Sequence, residues 1–294
     1  MSKIRGIYAA GMSIFNEDLS LNIEKTISHA ENIIDQGCHG VAILGSTGQA
    51  QLIPIAEKIE LLNKLSLSKY KDKYIIGTGL NSLVEVINYM KLGLSLNFKT
   101  FLIMPPAYYK YGDNEVFEFY SKLIEAVPDS EIILYNFEKL CGYKFSLDCI
   151  KKLVSKFPKQ IIGVKDSSYN LYENLEIENF SIFPGSETKL LKGLELGCSG
   201  IITATCNVTG ELSRKVYDDF ISKKKQTENQ KLIDVRNVFD KYNLISSLHT
   251  YFSQKNKIYK NILPPLSLLN EQDEKDLMEK LKNLNFTNKS SMAA

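Results

Sequence analysis

The stretch Ile161-Ile162-Gly163-Val164-Lys165-Asp166-Ser167-Ser168 has the pattern of a buried strand that ends in a lysine. An unbroken apolar run of this kind is typical of a strand that is covered on both faces. Its lysine would lie at the mouth of the core, where loss of hydration favours the neutral, nucleophilic form of an amine. Such a lysine suits Schiff-base chemistry with a carbonyl substrate. Most lysines after a strand are solvated loop residues, however, and this stretch alone favours that alternative.

Strand-like and helical patterns alternate on both sides of this stretch. Strands are predicted at residues 4–10, 40–44, 74–77, 100–104, 131–135, 161–165, 181–183 and 200–203. Strand and helix follow each other at intervals of about 20–35 residues, as in βαβ units. Eight such units predict a closed (β/α)₈ TIM barrel. A doubly wound sheet would need a Gly-rich dinucleotide turn after its first strand, and Ala9-Ala10-Gly11-Met12-Ser13 does not form one.

The pattern changes after about residue 209, where only helices are predicted, at about residues 211–222, 227–252 and 273–284. We therefore expect a barrel core at residues 1–209 and an all-α extension at residues 210–294 that packs on it. Pro264-Pro265 would form a stiff elbow within the extension.

Composition excludes several classes of partner. The 294 residues carry a formal net charge of +2, which gives no electrostatic reason to expect a nucleic acid or an anionic membrane as partner. No apolar run is long enough to suggest a membrane span. The five cysteines are odd in number and have no paired spacing, which predicts a cytoplasmic protein.

Histidine and arginine are scarce in this chain. The histidines are His29, His39 and His249, and the arginines are Arg5, Arg214 and Arg236. No histidine has ligand spacing with another histidine or a carboxylate, so we predict neither a metal site nor a cofactor. A Gly-x-Ser-x-Gly nucleophile motif is also missing. The second to eighth strands and their loops contain no arginine, which argues against an arginine clamp on the substrate from that region.

The C-terminal ends of barrel strands are where a TIM-barrel active site lies. Tyr135 and Lys165 end neighbouring strands, so a phenol and an amine should meet there, as acid–base steps on an iminium require. Gly45-Ser46-Thr47-Gly48 offers hydroxyl and backbone N–H groups to a carboxylate, although an ordinary Gly/Ser turn explains it better when taken alone. Tyr108 and Tyr109 form an aromatic cluster, which is more often packing than chemistry.

Six short motifs lie in a fixed order along the chain. They are Gly45-Ser46-Thr47-Gly48, Pro106-Ala107-Tyr108-Tyr109, Tyr135-Asn136, Gly163-Val164-Lys165-Asp166-Ser167, Pro184-Gly185-Ser186-Glu187 and Gly200-Ile201-Ile202-Thr203. In order and spacing they resemble the dihydrodipicolinate synthase / N-acetylneuraminate lyase family of pyruvate-dependent class I aldolases, over nearly the full length. The resemblance implies a TIM barrel with a C-terminal helical region, assembled as a homodimer or homotetramer with paired active sites.

The resemblance also implies catalytic roles. Lys165 would form the Schiff base with pyruvate or a 2-keto acid, and Tyr135 would act as the general acid and base. Ser46 would belong to the proton relay. Tyr109 would be contributed across a dimer interface to the relay of the neighbouring subunit.

Substrate-binding roles follow from the same resemblance. Thr47 and the backbone N–H groups around Gly48 would hold the carboxylate of the keto acid. The backbone carbonyl of Ile202 would lie near the bound keto acid. Gly185 and Glu187 would contact the other half of the substrate.

The departures from the family pattern concern that other half. Leu140 occupies the position at which dihydrodipicolinate synthases carry a carboxylate-binding arginine, and a leucine also occurs there in the lyase branch. Sialic acid lyases contact a polyol chain with an acidic pair and a serine, which correspond here to Glu187, Thr188 and Ala204. Gly185-Ser186-Glu187 is closer to 2-keto-3-deoxygluconate-type aldolases.

We therefore predict a carbon–carbon lyase of carbohydrate acid metabolism, a Schiff-base aldolase without metal or organic cofactor. It would reversibly cleave a 2-keto-3-deoxy sugar acid, or a related 4-hydroxy-2-keto acid, to pyruvate and an aldehyde. Glu138 replaces the family's usual proline, and Gln49 replaces its usual glutamate. These two changes leave the identity of the aldehyde undetermined. Two alternatives stay open: a dihydrodipicolinate synthase, which condenses pyruvate with aspartate semialdehyde, and a barrel that binds a keto acid without turnover.

Overall fold

Eight parallel strands form the centre of the computed structural model, which describes residues 4–286. The strands are β1 (Gly6–Ala10), β2 (Gly40–Ile43), β3 (Tyr74–Gly77), β4 (Thr100–Ile103), β5 (Glu131–Asn136), β6 (Ile161–Asp166), β7 (Ser181–Pro184) and β8 (Gly200–Thr203). They pair in the order β7, β6, β5, β4, β3, β2, β1, β8. The two ends of the sheet meet where Ser199 N donates to Ile182 O at 2.9 Å. The predicted TIM barrel is therefore confirmed.

Eleven α-helices lie within residues 4–286. They are α1 (Ile23–Asp35), α2 (Ile55–Leu65), α3 (Leu83–Ser95), α4 (Asp113–Ala126), α5 (Glu138–Cys141), α6 (Leu147–Lys156), α7 (Leu190–Glu195), α8 (Cys206–Ile221), α9 (Asn229–Phe239), α10 (Leu244–Ser253) and α11 (Glu271–Asn283). Ser146 caps α6, because its side chain accepts from Cys149 N at 3.0 Å. None of the helices in this range is long and apolar enough to cross a membrane.

Alternation along the strands decides which side chains reach the interior of the barrel. On β5, Ile132 and Leu134 pack against the surrounding helices, whereas Ile133 and Tyr135 belong to the interior cluster. The interior cluster is otherwise apolar, with Ala10, Ala42, Ile75, Leu102, Phe183 and Ile202. Because successive strand residues point to opposite faces, Tyr135 faces inward at the C-terminal end of its strand.

The predicted single helix at residues 227–252 is wrong. The chain leaves α9 at Phe239 and begins α10 at Leu244, so the segment 240–243 is a turn. The Asn243 side chain accepts from Ile245 N and Ser246 N, both at 3.1 Å, and thereby satisfies N–H groups at the start of α10. This break lies over the mouth of the barrel, where it forms part of the candidate site described below.

The C-terminal helices have a core of their own. It joins residues of the β1 loop and α8 to α9, α10 and α11: Met12, Ile14, Val208, Val235, Phe239, Leu248, Leu277 and Leu281. The predicted boundary between residues 209 and 210 falls inside α8, which packs against β1. Residues 287–294 of the predicted extension lie outside the described residues.

Candidate active site

Lys165 and Tyr135 are neighbours at the mouth of the barrel. The parallel pairing of β5 and β6 places Tyr135 beside Lys165. Lys165 Nζ lies 4.3 Å from the centre of the Tyr135 ring, which is a cation–π distance. Both side chains are buried, with 3% of Lys165 and 4% of Tyr135 exposed. The interpretation of Lys165 as a solvated loop residue therefore does not hold.

Ser46 joins this pair from the loop after β2. Its Oγ lies 2.9 Å from the Tyr135 hydroxyl, and either oxygen could be the donor. A hydroxyl in contact with the phenol provides a path by which a proton can enter or leave Tyr135. The structure thus brings together Ser46, Tyr135 and Lys165, three of the four catalytic residues that the sequence predicts.

The Ser46–Thr47–Gly48 turn lies against the loop after β1. A Cβ atom at Gly48 would lie 2.9 Å from Ser13 Oγ and 3.0 Å from Gly11 O, so a larger residue would push the turn away. Thr47 is buried and lines the same cavity as Lys165. The turn is therefore well placed to hold the carboxylate end of a substrate.

Gln49 connects this turn to the C-terminal helices. It adopts φ +54°, a left-handed conformation that is uncommon for a residue with a side chain. Its Oε1 accepts from Leu263 N at 3.0 Å, and its Nε2 lies 3.4 Å from His249 Nε2. Because His249 Nδ1 lies 2.9 Å from Tyr259 O, this nitrogen must carry the proton, which leaves Nε2 to accept from Gln49.

Asp166 and Asn136 hold the strand ends on either side of the lysine and tyrosine. The fully buried Asp166 carboxylate accepts from the backbone N–H groups of Tyr169, Leu171 and Tyr172 at 2.9–3.0 Å. It also accepts from Asn136 Nδ2 at 2.8 Å. The sequence motifs contain both residues, but only the structure shows that they order the loop after β6.

The cavity around these residues has a volume of about 660 Å³, and its wall combines two chemically different sets of residues. One set comes from the strand ends and is called the barrel end here: Ser46, Thr47, Tyr135 and Lys165. The other set comes from the C-terminal extension and is called the extension end: Arg236, Asp240, Tyr242 and Asn243. A volume of this size is typical of a site for a small molecule.

Leu140 and Gly185 line this cavity, as expected for substrate-binding residues. Leu140 is partly exposed on α5. A Cβ atom at Gly185 would lie 2.3 Å from Ser167 Oγ, so only a glycine lets the loops after β6 and β7 approach this closely. Both positions stay predictions as ligand contacts, because their location alone does not test them.

Arg236 is the site residue that the sequence reasoning missed. It lies on α9, is 5% exposed, and lines the cavity. Its Nη1 donates to Glu187 Oε2 at 2.8 Å, and its Nε donates to Asp240 Oδ1 at 2.9 Å. A signal was available, because Arg236 falls on the face of α9 that carries the buried Leu232 and Phe239. An arginine on the apolar face of a helix needs a buried partner.

Glu187 is fully buried outside the cavity lining. Besides Arg236, three hydroxyl groups donate to its carboxylate: Thr203 at 2.9 Å, Thr205 at 2.5 Å and Thr209 at 2.8 Å. Burial alone would raise the pKa of Glu187, but Arg236 and Thr205 outweigh burial and lower it. Burial alone would likewise lower the pKa of Arg236, but Glu187 and Asp240 raise it. We therefore interpret Glu187 as the partner of Arg236 instead of a direct substrate contact.

Three further predicted residues, including Gly48, lie outside the cavity lining. Ile202 is fully buried in the interior cluster of the barrel. Tyr109 is 74% exposed, and its ring packs edge-on against Tyr108 at 5.2 Å. The contribution of Tyr109 across a dimer interface therefore stays a prediction.

Metal ligands are not grouped in the part of the chain that the structure describes: between residues 4 and 286 no three His, Cys, Asp or Glu side chains are placed to hold an ion.

Comparison with known proteins identifies the family. The model of the dihydrodipicolinate synthetase family matches residues 3–284. The chain belongs to this family. It is 29% identical to a DapA-like lyase of Chloroflexus aurantiacus over 227 aligned residues. These residues cover 75% of this chain and 76% of that protein.

Two other similar proteins are informative. A 2-dehydro-3-deoxy-D-gluconate/2-dehydro-3-deoxy-phosphogluconate aldolase of Picrophilus torridus is 26% identical over 251 residues, which cover 81% of this chain and 92% of that enzyme. The crystal structure of YagE from E. coli, in complex with pyruvate, has a TM-score of 0.87 at 20% identity and covers 96% of this chain and 99% of that one. Membership of this family makes the chain a carbon–carbon lyase, as the sequence predicts.

Proposed function

We propose that this enzyme is a Schiff-base aldolase that reversibly splits a 2-keto-3-deoxy sugar acid, or a related 4-hydroxy-2-keto acid, into pyruvate and an aldehyde. The observation that carries the proposal is the meeting of Lys165, Tyr135 and Ser46 in one cavity. The Picrophilus torridus aldolase and the pyruvate complex of YagE support the substrate class and the keto acid.

The chemistry follows from the contacts. Lys165 Nζ attacks the C2 carbonyl of the keto acid, water leaves, and an iminium forms. Tyr135 takes the proton from the C4 hydroxyl as its own hydroxyl proton moves to Ser46 at 2.9 Å, and the same relay later returns a proton to C3. The C3–C4 bond then breaks, its electron pair moves into the iminium to form an enamine, and the aldehyde leaves. Protonation at C3 and hydrolysis of the imine release pyruvate and restore Lys165.

The Thr47 and Gly48 turn would bind the carboxylate of the keto acid while this happens. The turn holds a fixed position against Ser13 and the loop after β1, so its backbone N–H groups require little reorganisation when a carboxylate binds. Ile202 O would lie on the other side of the bound keto acid. The keto acid end of the substrate would therefore be bound almost entirely by elements of the barrel.

A synthase that condenses pyruvate with aspartate semialdehyde is the second candidate, because the family is named for that activity. It needs a cation for the carboxylate of the semialdehyde, and Leu140 does not provide one. Arg236 is already paired with two carboxylates. We therefore rank the synthase below the aldolase, and a condensation assay with both substrates would reverse this order if product formed.

Borohydride trapping tests the proposal directly. With pyruvate present, reduction should add one covalent adduct to Lys165, detected by peptide mass spectrometry. Lys58, the other buried lysine within residues 4–286, is an internal control, because its Nζ donates to Thr78 O and Gly79 O, both at 3.0 Å, and should stay unmodified. An unmodified Lys165 would refute the aldolase. An adduct without pyruvate release from any keto sugar acid would favour the barrel that only binds.

We further propose that two copies form the working unit and that Tyr109 of one copy serves the site of the other. The exposure of Tyr109 in the single chain supports this. A mixture of Tyr109→Phe and Lys165→Ala variants, each impaired alone, should then regain about a quarter of wild-type activity, because half of the dimers are mixed and one of their two sites is complete. Each variant mixed with itself is the control, and no recovery would contradict the shared site.

We place the enzyme in the cytoplasm. All five cysteines are buried, and no disulfide occurs within residues 4–286. Buried thiols without disulfides are typical of proteins in a reducing compartment.

A further inference from the structure

The extension end of the cavity is built by α9 and by the turn that follows it. The break between α9 and α10 places Asp240, Tyr242 and Asn243 there, and Arg236 lies one helical turn before Asp240. If the keto acid end of the substrate binds at Lys165 and Thr47, then the aldehyde half must point toward this end. The charges and hydrogen-bonding groups found here therefore select the aldehyde.

The guanidinium group of Arg236 at this end forms ion pairs with two carboxylates. Arg236 Nη1 contacts Glu187 at 2.8 Å, and Arg236 Nε contacts Asp240 at 2.9 Å. The Arg236 and Glu187 side chains are 6% and 0% exposed, so water screens their interaction little. Two carboxylates thus face one guanidinium, and the group as a whole has an excess of negative charge.

The remaining charges at this end do not reverse that balance. Glu138 and Lys139 line the cavity from α5, and Glu138 pairs with Lys144 at 3.2 Å. Lys139 and Asp240 are both exposed to solvent, the Asp240 side chain at 41%, so screening weakens both charges. Lys165 belongs to the barrel end, where the imine would use its amine. This end therefore offers no concentrated positive charge to a second anionic group on the substrate.

A substrate with a phosphorylated tail would therefore bind weakly at this end of the cavity. Arginine binds phosphate strongly when its N–H donors are available in pairs. Here Nε and Nη1 already donate to carboxylates, and a phosphate would lie next to Asp240. A tail of hydroxyl groups has no such conflict, because each hydroxyl both donates and accepts and can use Asp240, Asn243 and Ser167 in the cavity wall.

We propose that the substrate carries an unphosphorylated polyhydroxy tail, and that Asp240 is a specificity-determining residue that excludes a phosphorylated one. The inference rests on the proposed aldolase function. It addresses a choice that the Picrophilus torridus relative leaves open, since the name of that aldolase covers both the phosphorylated and the unphosphorylated acid. Asp240 acts by direct repulsion of a phosphate and by holding Arg236 Nε.

Steady-state kinetics on the full-length protein provide the first test. Pyruvate release from 2-dehydro-3-deoxy-D-gluconate should exceed release from its 6-phosphate at least about tenfold in kcat/KM. Asp240→Asn should reduce this preference about fivefold or more, chiefly by improving kcat/KM for the phosphate. Asp234→Asn is the matched control, because Asp234 lies on α9, close to Asp240 in the sequence but outside the cavity lining, and bonds only Gln230 in the described contacts. Equal or better use of the 6-phosphate by the wild type would overturn the proposal.

A binding measurement separates this inference from the aldolase function. D-gluconate and 6-phospho-D-gluconate have no keto group and form no imine, so titration calorimetry reports on the cavity alone. Tighter binding of D-gluconate, with the preference reduced in Asp240→Asn but not in Asp234→Asn, supports the proposal. Equal or tighter binding of the phosphorylated acid overturns it. Failure of the proposed function would appear separately, as an unmodified Lys165 after trapping with pyruvate and borohydride.

Discussion

The two ends of the cavity differ in how the chain builds them. Tyr135 and Lys165 come from adjacent strands, and their contact follows directly from the β5–β6 register. Arg236 comes from α9 and Asp240 from the turn after it, both outside the strand pattern, and they reach the site only because the C-terminal helices pack over the barrel mouth. Under the proposed function, the barrel would therefore provide the reaction chemistry, whereas the extension would provide support and selection. Four predictions separate these contributions.

The largest effect should come from the barrel end. Tyr135→Phe removes the hydroxyl that bonds Ser46, so pyruvate release should fall about 10²- to 10⁴-fold. The borohydride adduct on Lys165 should still form, because the amine is untouched. Tyr70→Phe, a tyrosine whose hydroxyl bonds Asp35 away from the site, is the control and should keep full turnover. Unchanged turnover in Tyr135→Phe would remove this residue from the mechanism.

The next effect should come from the extension and should appear as stability. Arg236→Met leaves Glu187 buried without its cation, which should lower the free energy of unfolding by about 3–5 kcal/mol. Urea unfolding would measure this. Arg214→Met removes an arginine from a pair with Asp218 that is 39% and 50% exposed, so its cost should stay below about 1 kcal/mol. An equal loss of unfolding free energy in the two variants would show that burial of the Arg236 ion pair does not affect stability.

The third prediction concerns pH and His249. Burial lowers the pKa of His249 to about 4. An unfolded chain would bind a proton on this histidine below about pH 6.5, whereas the folded chain would not do so until about pH 4. Stability should therefore fall as pH drops through this window, by up to about 1.4 kcal/mol per pH unit from this residue, and fall no further below it.

Replacement of His249 isolates its share of the pH dependence. Carboxylates titrate in the wild type and the variant alike, so a shallower loss of stability in His249→Gln between pH 6.5 and 4 reports on the histidine. Chemical unfolding at several pH values would measure the two slopes. Parallel slopes would contradict a buried neutral His249.

The smallest effect should come from the contact that joins the two regions. Gln49→Ala removes the side chain that links the carboxylate-binding turn to His249 and Leu263. KM for the keto acid should rise about three- to tenfold with little change in kcat, because the turn positions the substrate but does not react. Gln160→Ala is the control, since Gln160 bonds only Pro128 O among the described side-chain contacts. A fall in kcat alone would place Gln49 in the chemistry.

Local patterns predicted the barrel well. The strands Tyr74–Gly77 and Gly200–Thr203 agree with the sequence prediction residue for residue. A short apolar run between turn residues defines both ends of a strand. The interruption at residues 240–243 could not be predicted in the same way. Both sides of it have a helical pattern, and the choice between one helix and two depends on the Asn243 cap and on packing over the barrel.

The sequence by itself determined the (β/α)₈ order, the position of Lys165 at a strand end, and the neighbouring place of Tyr135. These features depend on strand alternation and on pairing between consecutive βα units, which local patterns record. Only the tertiary structure decided that Arg236 reaches the cavity and pairs with Glu187 across 49 positions of the chain. That pairing depends on how a separate layer of helices packs, because a buried guanidinium is stable only where carboxylates from distant segments meet it.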